Sequence, residues 1–305
     1  MSTTVLNAAL PVFVLILLGQ CMKRAKFPGD AFWAPAEQLV YWFLFPCLLI
    51  TTLAKAEFQT IAALPVATIT VFSILTMTVL TGFFKRWLQT PGPSFTSVFQ
   101  GSVRLNSYIG FSIVNALYGI EGMAAAAVVV ATFVPLVNLL GIFLLVRYGN
   151  SARPTTARAL VELIRNPLIL ACALGIALNL SNVGLPGALW NLFDLITRAA
   201  LPLGLLTVGA ALSFTTIRAD SALIALSMVL KLIMLPMFAL LGVYWWGLDG
   251  VSAFVVVVFL GLPTSTSAYI LARQLGGNAD LMANLIQAQT LGSLLTIPLL
   301  ISVLL

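Results

Sequence analysis

Apolar runs of membrane-spanning length recur along almost the whole of this sequence, and they constrain its fold more than any other feature. A span needs roughly 20 mainly apolar residues. With the polar loops as punctuation, ten are read: 4–22, 33–54, 61–84, 95–118, 121–147, 167–182, 187–213, 220–246, 251–272 and 281–304. Only 8% of the 305 residues are charged and the mean hydropathy is +1.08. An ordinary soluble domain carries roughly 25% charged residues, so this composition cannot cover a water-facing surface. The longest polar interval, 148–165, is too short for a soluble domain. Residues 1–305 therefore read as one transmembrane domain, an all-α polytopic membrane protein of ten helices.

Loop charges give an orientation. The loops after spans 1, 3, 5, 7 and 9 hold Lys23, Arg24, Lys26, Lys85, Arg86, Arg147, Arg153, Arg158, Arg165, Arg218 and Arg273, whereas the opposite side holds Lys55 alone. By the positive-inside rule, both termini are expected on the non-cytoplasmic side of a bacterial inner membrane. The first run lacks a positive leader and ends in Lys23-Arg24-Ala25-Lys26, so it reads as a span and not as a cleaved signal peptide. The net charge of +6 is spread over short loops, which argues against a nucleic-acid partner. Cys21, Cys47 and Cys172 sit singly in apolar stretches and read as small core residues. With no histidine in the chain, neither a metal set nor a cofactor is expected.

The two halves are related. A shift of 156 superposes Pro11 on Pro167, Gly19 on Gly175, Pro46 on Pro202, Thr51 on Thr207 and Phe58 on Phe214. Farther along, Phe99-Gln-Gly101 matches Phe259-Leu-Gly261, Tyr108-Ile109 matches Tyr269-Ile270, and Val134-Pro135-Leu136 matches Ile297-Pro298-Leu299. Each unit, 1–150 and 151–305, holds five spans. An odd number of crossings makes the second copy enter from the opposite face, giving a 5+5 inverted repeat of the kind found in secondary transporters.

Spans 4 and 9 occupy equivalent places and are the least uniformly apolar. Span 4 contains Arg104, Asn106 and Ser107; span 9 contains Pro263, Thr264, Ser265, Thr266 and Ser267. Pro263 removes an amide donor and clashes with the preceding turn, so the helix is expected to break there. Freed backbone groups at membrane depth need protein or a polar cavity around them. Half-helix N-termini would then present N–H groups and partial positive charge at mid-membrane.

Three basic groups lie inside spans: Arg104, Arg198 and Lys231. An ionised side chain at that depth costs at least about 2.5–3.5 kcal/mol, so each needs a partner or a wet cavity. Asp194, four residues before Arg198, is the expected partner of that arginine. Arg104 reads as a contact for a substrate anion or as half of a pair with a distant acid. Lys231 is left open between structure and function, and Glu37 reads as interfacial. The excess of deep basic groups favours an anionic substrate.

The ordered set Pro11 with Gly19, Phe45-Pro46, Arg104-Leu-Asn106-Ser-Tyr108-Ile-Gly110, Pro135-Leu-Val-Asn138, Arg165-Asn166-Pro167 with Gly175, Leu201-Pro202-Leu203 with Gly209-Ala210, Leu262-Pro263-Thr264 and Thr296-Ile-Pro298-Leu299 resembles the auxin efflux carrier superfamily, in the bacterial branch that includes malonate-type transporters. The resemblance runs over the whole chain. It implies ten helices in a 5+5 inverted repeat with helices 4 and 9 broken and crossing. It also implies a scaffold of helices 1, 2, 6 and 7, a mobile transport bundle of helices 3–5 and 8–10, and a homodimer. Plant members carry a proline between two asparagines at the first crossing. Here that place reads Arg104-Leu105-Asn106, which suits a smaller, more strongly charged carboxylate.

The expected function is elevator-like, alternating-access transport of small organic anions across the bilayer. Arg104, Asn106, Ser107, Pro263 and Thr264–Ser267 would form the site, with Asn138, Gln287 and Gln289 in support. An inside-negative potential contributes about 2.3 kcal/mol per charge per 100 mV, so anion efflux needs no coupling ion whereas uptake does. A symporter of the same architecture coupled to Na⁺, or to H⁺, is one alternative. A non-transporting membrane sensor is another. No nucleophile–base pair or metal set points to an enzyme.

Overall fold

The computed structural model describes residues 3–57, 61–150, 165–181, 186–212 and 220–305. Among them every regular element is a helix. Phe58, Phe214, Arg153, Arg158 and Arg218, which the repeat and the loop charges drew on, lie outside the described residues.

In chain order the helices are α1 (Thr3–Arg24), α2 (Trp33–Leu39), α3 (Phe45–Ala54), α4 (Ala63–Trp87), α5 (Gly92–Val103), α6 (Ser107–Tyr148), α7 (Pro167–Ser181), α8 (Gly187–Ala211), α9 (Ser221–Val229), α10 (Leu235–Trp246), α11 (Gly250–Leu260), α12 (Ser267–Leu275) and α13 (Ala279–Leu304). One wide π turn, Val40–Leu44, joins α2 to α3, and a second, Leu230–Met234, joins α9 to α10. Among the described residues, six continuous stretches are long and apolar enough to cross a membrane: Asp30–Ala54, Ala63–Trp87, Gly92–Tyr148, Gly187–Ala211, Ser221–Trp246 and Ala279–Leu304. The protein is thus a polytopic helical membrane protein.

The ten expected spans do not map onto ten unbroken helices. Expected spans 4 and 5 share the stretch Gly92–Tyr148, where the chain turns at Gly119 with φ +55°, a conformation that glycine adopts without steric cost. Expected span 9 is divided between α11 and α12, and α7 is only 15 residues long.

Helix starts are set locally. Asn166 accepts from the N–H groups of Leu168 and Ile169, and Pro167 opens α7 where its missing donor costs nothing. Asn278 caps α13 through the N–H of Leu281. Packing divides the helices into two neighbourhoods. α1 lies along α8 and α3 along α7, while α4, α5, α6, α10, α11 and α13 pack among themselves. The first neighbourhood is close-set. A Cβ on Gly19 would strike the Leu206 backbone, one on Gly209 the Ile16 backbone, and one on Gly175 the Ile50 backbone. Of the cysteines, Cys47 and Cys172 are buried as expected. Cys21 is exposed, because it lies on the outward face of α1.

Candidate functional site

Two helices stop short in the interior and meet. α5 ends at Val103, and Arg104 continues in extended backbone (φ −66°, ψ 152°) before Asn106 starts α6. α11 ends at Leu260, and the chain runs through Pro263 before α12 begins at Ser267. The interruptions are bonded to each other. The Asn106 N–H donates to the Pro263 carbonyl at 2.8 Å, and the Thr264 hydroxyl reaches the Gln100 carbonyl at 3.5 Å. Gln289 braces the junction from α13: its Oε1 accepts from the Thr264 N–H at 3.0 Å, and its Nε2 donates to the Gly101 carbonyl at 2.9 Å. The backbone groups freed by the breaks are therefore met by protein, as burial at membrane depth requires.

The N-terminal side of this junction carries the polar side chains. Asn106 Oδ1 accepts from the N–H groups of Tyr108 (3.2 Å) and Ile109 (3.5 Å), so its oxygen is spent as a helix cap and only its amide nitrogen is left for a ligand. Ser107 is the first residue of α6 and is half-buried. The Ser265 and Ser267 hydroxyls lie 2.6 Å apart. Arg104, 6% exposed, donates from Nη2 to Asn138 Oδ1 at 2.8 Å and from Nη1 to Ser267 Oγ at 3.5 Å. Its Nε is buried without a hydrogen-bond partner, and it forms no ion pair with any described residue. A guanidinium has five N–H donors, so this one is under-committed for its burial.

The C-terminal side is closed. Lys231 is fully buried, and its Nζ donates to the carbonyls of Leu260 (3.1 Å) and Val103 (3.5 Å). Gln287 on α13 is buried with its Oε1 unpartnered.

Two expectations need correction. Asp194 does not pair with Arg198; it pairs with Lys55 at 3.0 Å, across from α3 to α8. Arg198 instead lines an open cavity of about 440 Å³ between α1, α6 and α8, together with Ser112, Asn115 and Thr197. That cavity shares no lining residue with the junction. Glu37 is not merely interfacial: its Oε1 accepts from the Thr266 hydroxyl at 2.5 Å, which links α2 to the start of α12.

Three further residues belong to the neighbourhood. Besides Glu37, Tyr41 lies within electrostatic reach of Arg104 and accepts from Asn166 Nδ2 at 3.3 Å. Gln100 is fully buried, with both side-chain polar atoms unpartnered. Its position four residues before Arg104, hence on the same helix face, is the signal that could have found it. Glu37 and Tyr41 are brought in by tertiary packing of α2 and the following π turn, which sequence spacing does not reveal.

A helical membrane protein whose core holds two interrupted helices, with half-helix ends at their junction and a buried arginine there that no described acid pairs, has the discontinuous-helix layout common among secondary transporters. The sequence matches the family model described as membrane transport protein over residues 4–301, and the chain belongs to that family, the one to which its auxin-carrier resemblance points. It is 25% identical over 298 residues to an uncharacterized transporter of Methanothermobacter thermautotrophicus, covering 96% of each chain. It is also 24% identical over 313 residues to the uncharacterized transporter YfdV of Escherichia coli, covering 98% of this chain and 97% of that one.

Proposed function

We propose that this protein is a secondary carrier of small organic anions, carboxylates such as malonate-like dicarboxylates, working by elevator-like alternating access in the inner membrane. The observation that carries the reading is Arg104. It is a buried cation at the junction, balanced by no described acid, with a buried Nε–H that has no partner. An anion would supply the missing charge and acceptors, and the starts of α6 and α12 would add partial positive charge beside it. Ser107, Ser265, Thr266 and Ser267 offer hydroxyls around the same place. Pro263 and Thr264 shape the break, Gln289 braces it, and Gln287 is proposed as a more distant support.

In many secondary carriers, two oppositely oriented halves provide alternating access. The close contacts favour such a relation. Gly19 meets Leu206 and Gly175 meets Ile50, and the shift of 156 converts each pair into the other. Reciprocal contacts of this form are what a two-fold axis between repeats 1–150 and 151–305 produces. In this reading α1, α2–α3, α7 and α8 are the scaffold through which two copies associate, and the other helices are the bundle that moves.

The test is a thermal-shift screen of purified protein against mono- and dicarboxylates. A carboxylate is expected to raise the melting temperature of wild type but not of a folded Arg104→Ala variant. A variant stabilised as strongly as wild type, or a wild type that no organic anion stabilises, would end the proposal.

A further inference from the structure

We infer that the Lys231 ammonium is a built-in cation filling a monovalent-cation site formed by the C-termini of α5 and α11, so that the carrier has no use for a sodium ion there. The structural part stands on the junction alone; its consequence for ion coupling rests on the carrier reading above.

The last carbonyls of a helix lack intrahelical donors and carry partial negative charge, and here two such ends converge in the interior. Most of these carbonyls have a donor of their own within the junction, Ser102 O excepted. Gln100 O accepts from the Arg104 N–H and the Thr264 hydroxyl, and Gly101 O accepts from Gln289. The Val257 and Val258 carbonyls accept from the Gly261 N–H, and that of Phe259 accepts from the Leu262 N–H. The terminal carbonyls of both helices, Val103 O and Leu260 O, are met by Lys231 Nζ. One ammonium thus ties together the ends of two helices from opposite halves of the chain.

Hydroxyls lie on the same elements as these helix ends. Ser227, one turn before Lys231, places its Oγ 3.4 Å from Ser102 Oγ and 3.1 Å from Gln289 Nε2. No described acid pairs with Lys231, so its counter-charge is the two helix ends themselves. Main-chain carbonyls at half-helix C-termini, with nearby hydroxyls, are the oxygen donors with which carriers of discontinuous helices hold Na⁺. The π turn Leu230–Met234 sets Lys231 against them, and its Nζ takes the place between the two carbonyls that a bound cation would hold. A lysine in that place brings its own donors to both helix ends.

Melting of the purified full chain in detergent tests this, at equal ionic strength and without any carboxylate, so the result is independent of the anion screen. Wild type is expected to melt at the same temperature in NaCl as in choline chloride. Lys231→Met, of similar length but uncharged, should melt roughly 4–10 °C lower, since two buried carbonyls lose their donor. Lys231→Ala should fall similarly and recover at least half of the loss in n-propylammonium chloride, but not in n-propanol, the neutral molecule of the same size. Saturable stabilisation of wild type by Na⁺, a Met variant that melts like wild type, or equal rescue by n-propanol would each overturn the inference. Should the Ala variant fail to fold, the wild-type and Met arms decide.

Discussion

Arg104 is met by the neutral side-chain oxygen of Asn138, 2.8 Å from Nη2, in a position where an acid would have balanced its charge. Asn138→Asp would supply that acid and make Arg104 self-satisfied. Under the carrier reading, malonate binding should then weaken on the order of tenfold or more while the melting temperature holds or rises. Asn138→Ala removes one acceptor without adding charge, and should change affinity much less. Calorimetric titration of both variants checks this; wild-type affinity in the Asp variant would separate Arg104 from the anion.

Asn106 works first as a cap, with one oxygen accepting from Tyr108 and Ile109. Asn106→Ala should therefore cost about 1 kcal/mol, lowering the melting temperature by roughly 2–4 °C. Asn106→Ser, which can cap through its hydroxyl, should restore most of that loss. If both variants melt as wild type does, the start of α6 is held by the Pro263 contact and not by the cap.

The interruptions at 104–106 and 261–266 were legible because their cause is local. Pro263 lacks a donor, and a run of hydroxyls has no place in a uniformly apolar helix. The grouping of Arg104, Asn138 and Ser267 was legible only as a set of polar exceptions, since periodicity does not say which of them meet. Asp194 marks the limit. Spacing of four pointed to Arg198, but neighbours on one helix face compete with whatever packs against that face, and Lys55 from α3 lies closer. Glu37 was missed for the same reason: its partner Thr266 is 229 positions away. Gln100 was the one missed residue with a usable signal, being an amide within an apolar span four positions before Arg104.

Gly209 lets α8 lie directly against the Ile16 backbone of α1, and Gly19 does the same toward Leu206. Backbone cannot yield as a side-chain tip can, so a methyl group must push the helices apart. Gly209→Ala should destabilise the protein by roughly 1–3 kcal/mol, the usual cost of overpacking. Gly82→Ala, where nothing lies within 4 Å of the added carbon, is the control and should melt like wild type. Thermal melting of the pair reads the difference directly.

Lys55 and Asp194 are a part-exposed pair, with side chains 41% and 46% accessible. Pairs of that kind contribute little after screening and entropy, so a double-mutant cycle with Lys55→Gln and Asp194→Asn should give a coupling below about 1 kcal/mol. The same cycle between Asp194→Asn and Arg198→Gln should give none beyond error. A larger coupling for the second pair would restore the partnership that helical spacing suggests.

Glu37 presents a carboxylate to the first turn of α12 through the Thr266 hydroxyl. In the carrier reading that is where an arriving anion would gather hydroxyls and N–H groups, so a fixed negative charge beside it opposes binding. Glu37→Gln keeps a side-chain oxygen for Thr266 but removes the charge, and malonate should bind roughly 3–10-fold tighter. Thr266→Val has the opposite balance: the hydrogen bond goes and the charge stays, so affinity should not rise. The link also joins α2 to α12, elements assigned to scaffold and bundle, and it must open whenever the two slide. Loss of the link in Thr266→Val should therefore speed malonate counterflow in proteoliposomes even though equilibrium affinity does not improve. Unchanged affinity in Glu37→Gln would place that carboxylate outside the field felt by the substrate, and unchanged counterflow in Thr266→Val would remove the link from the moving interface.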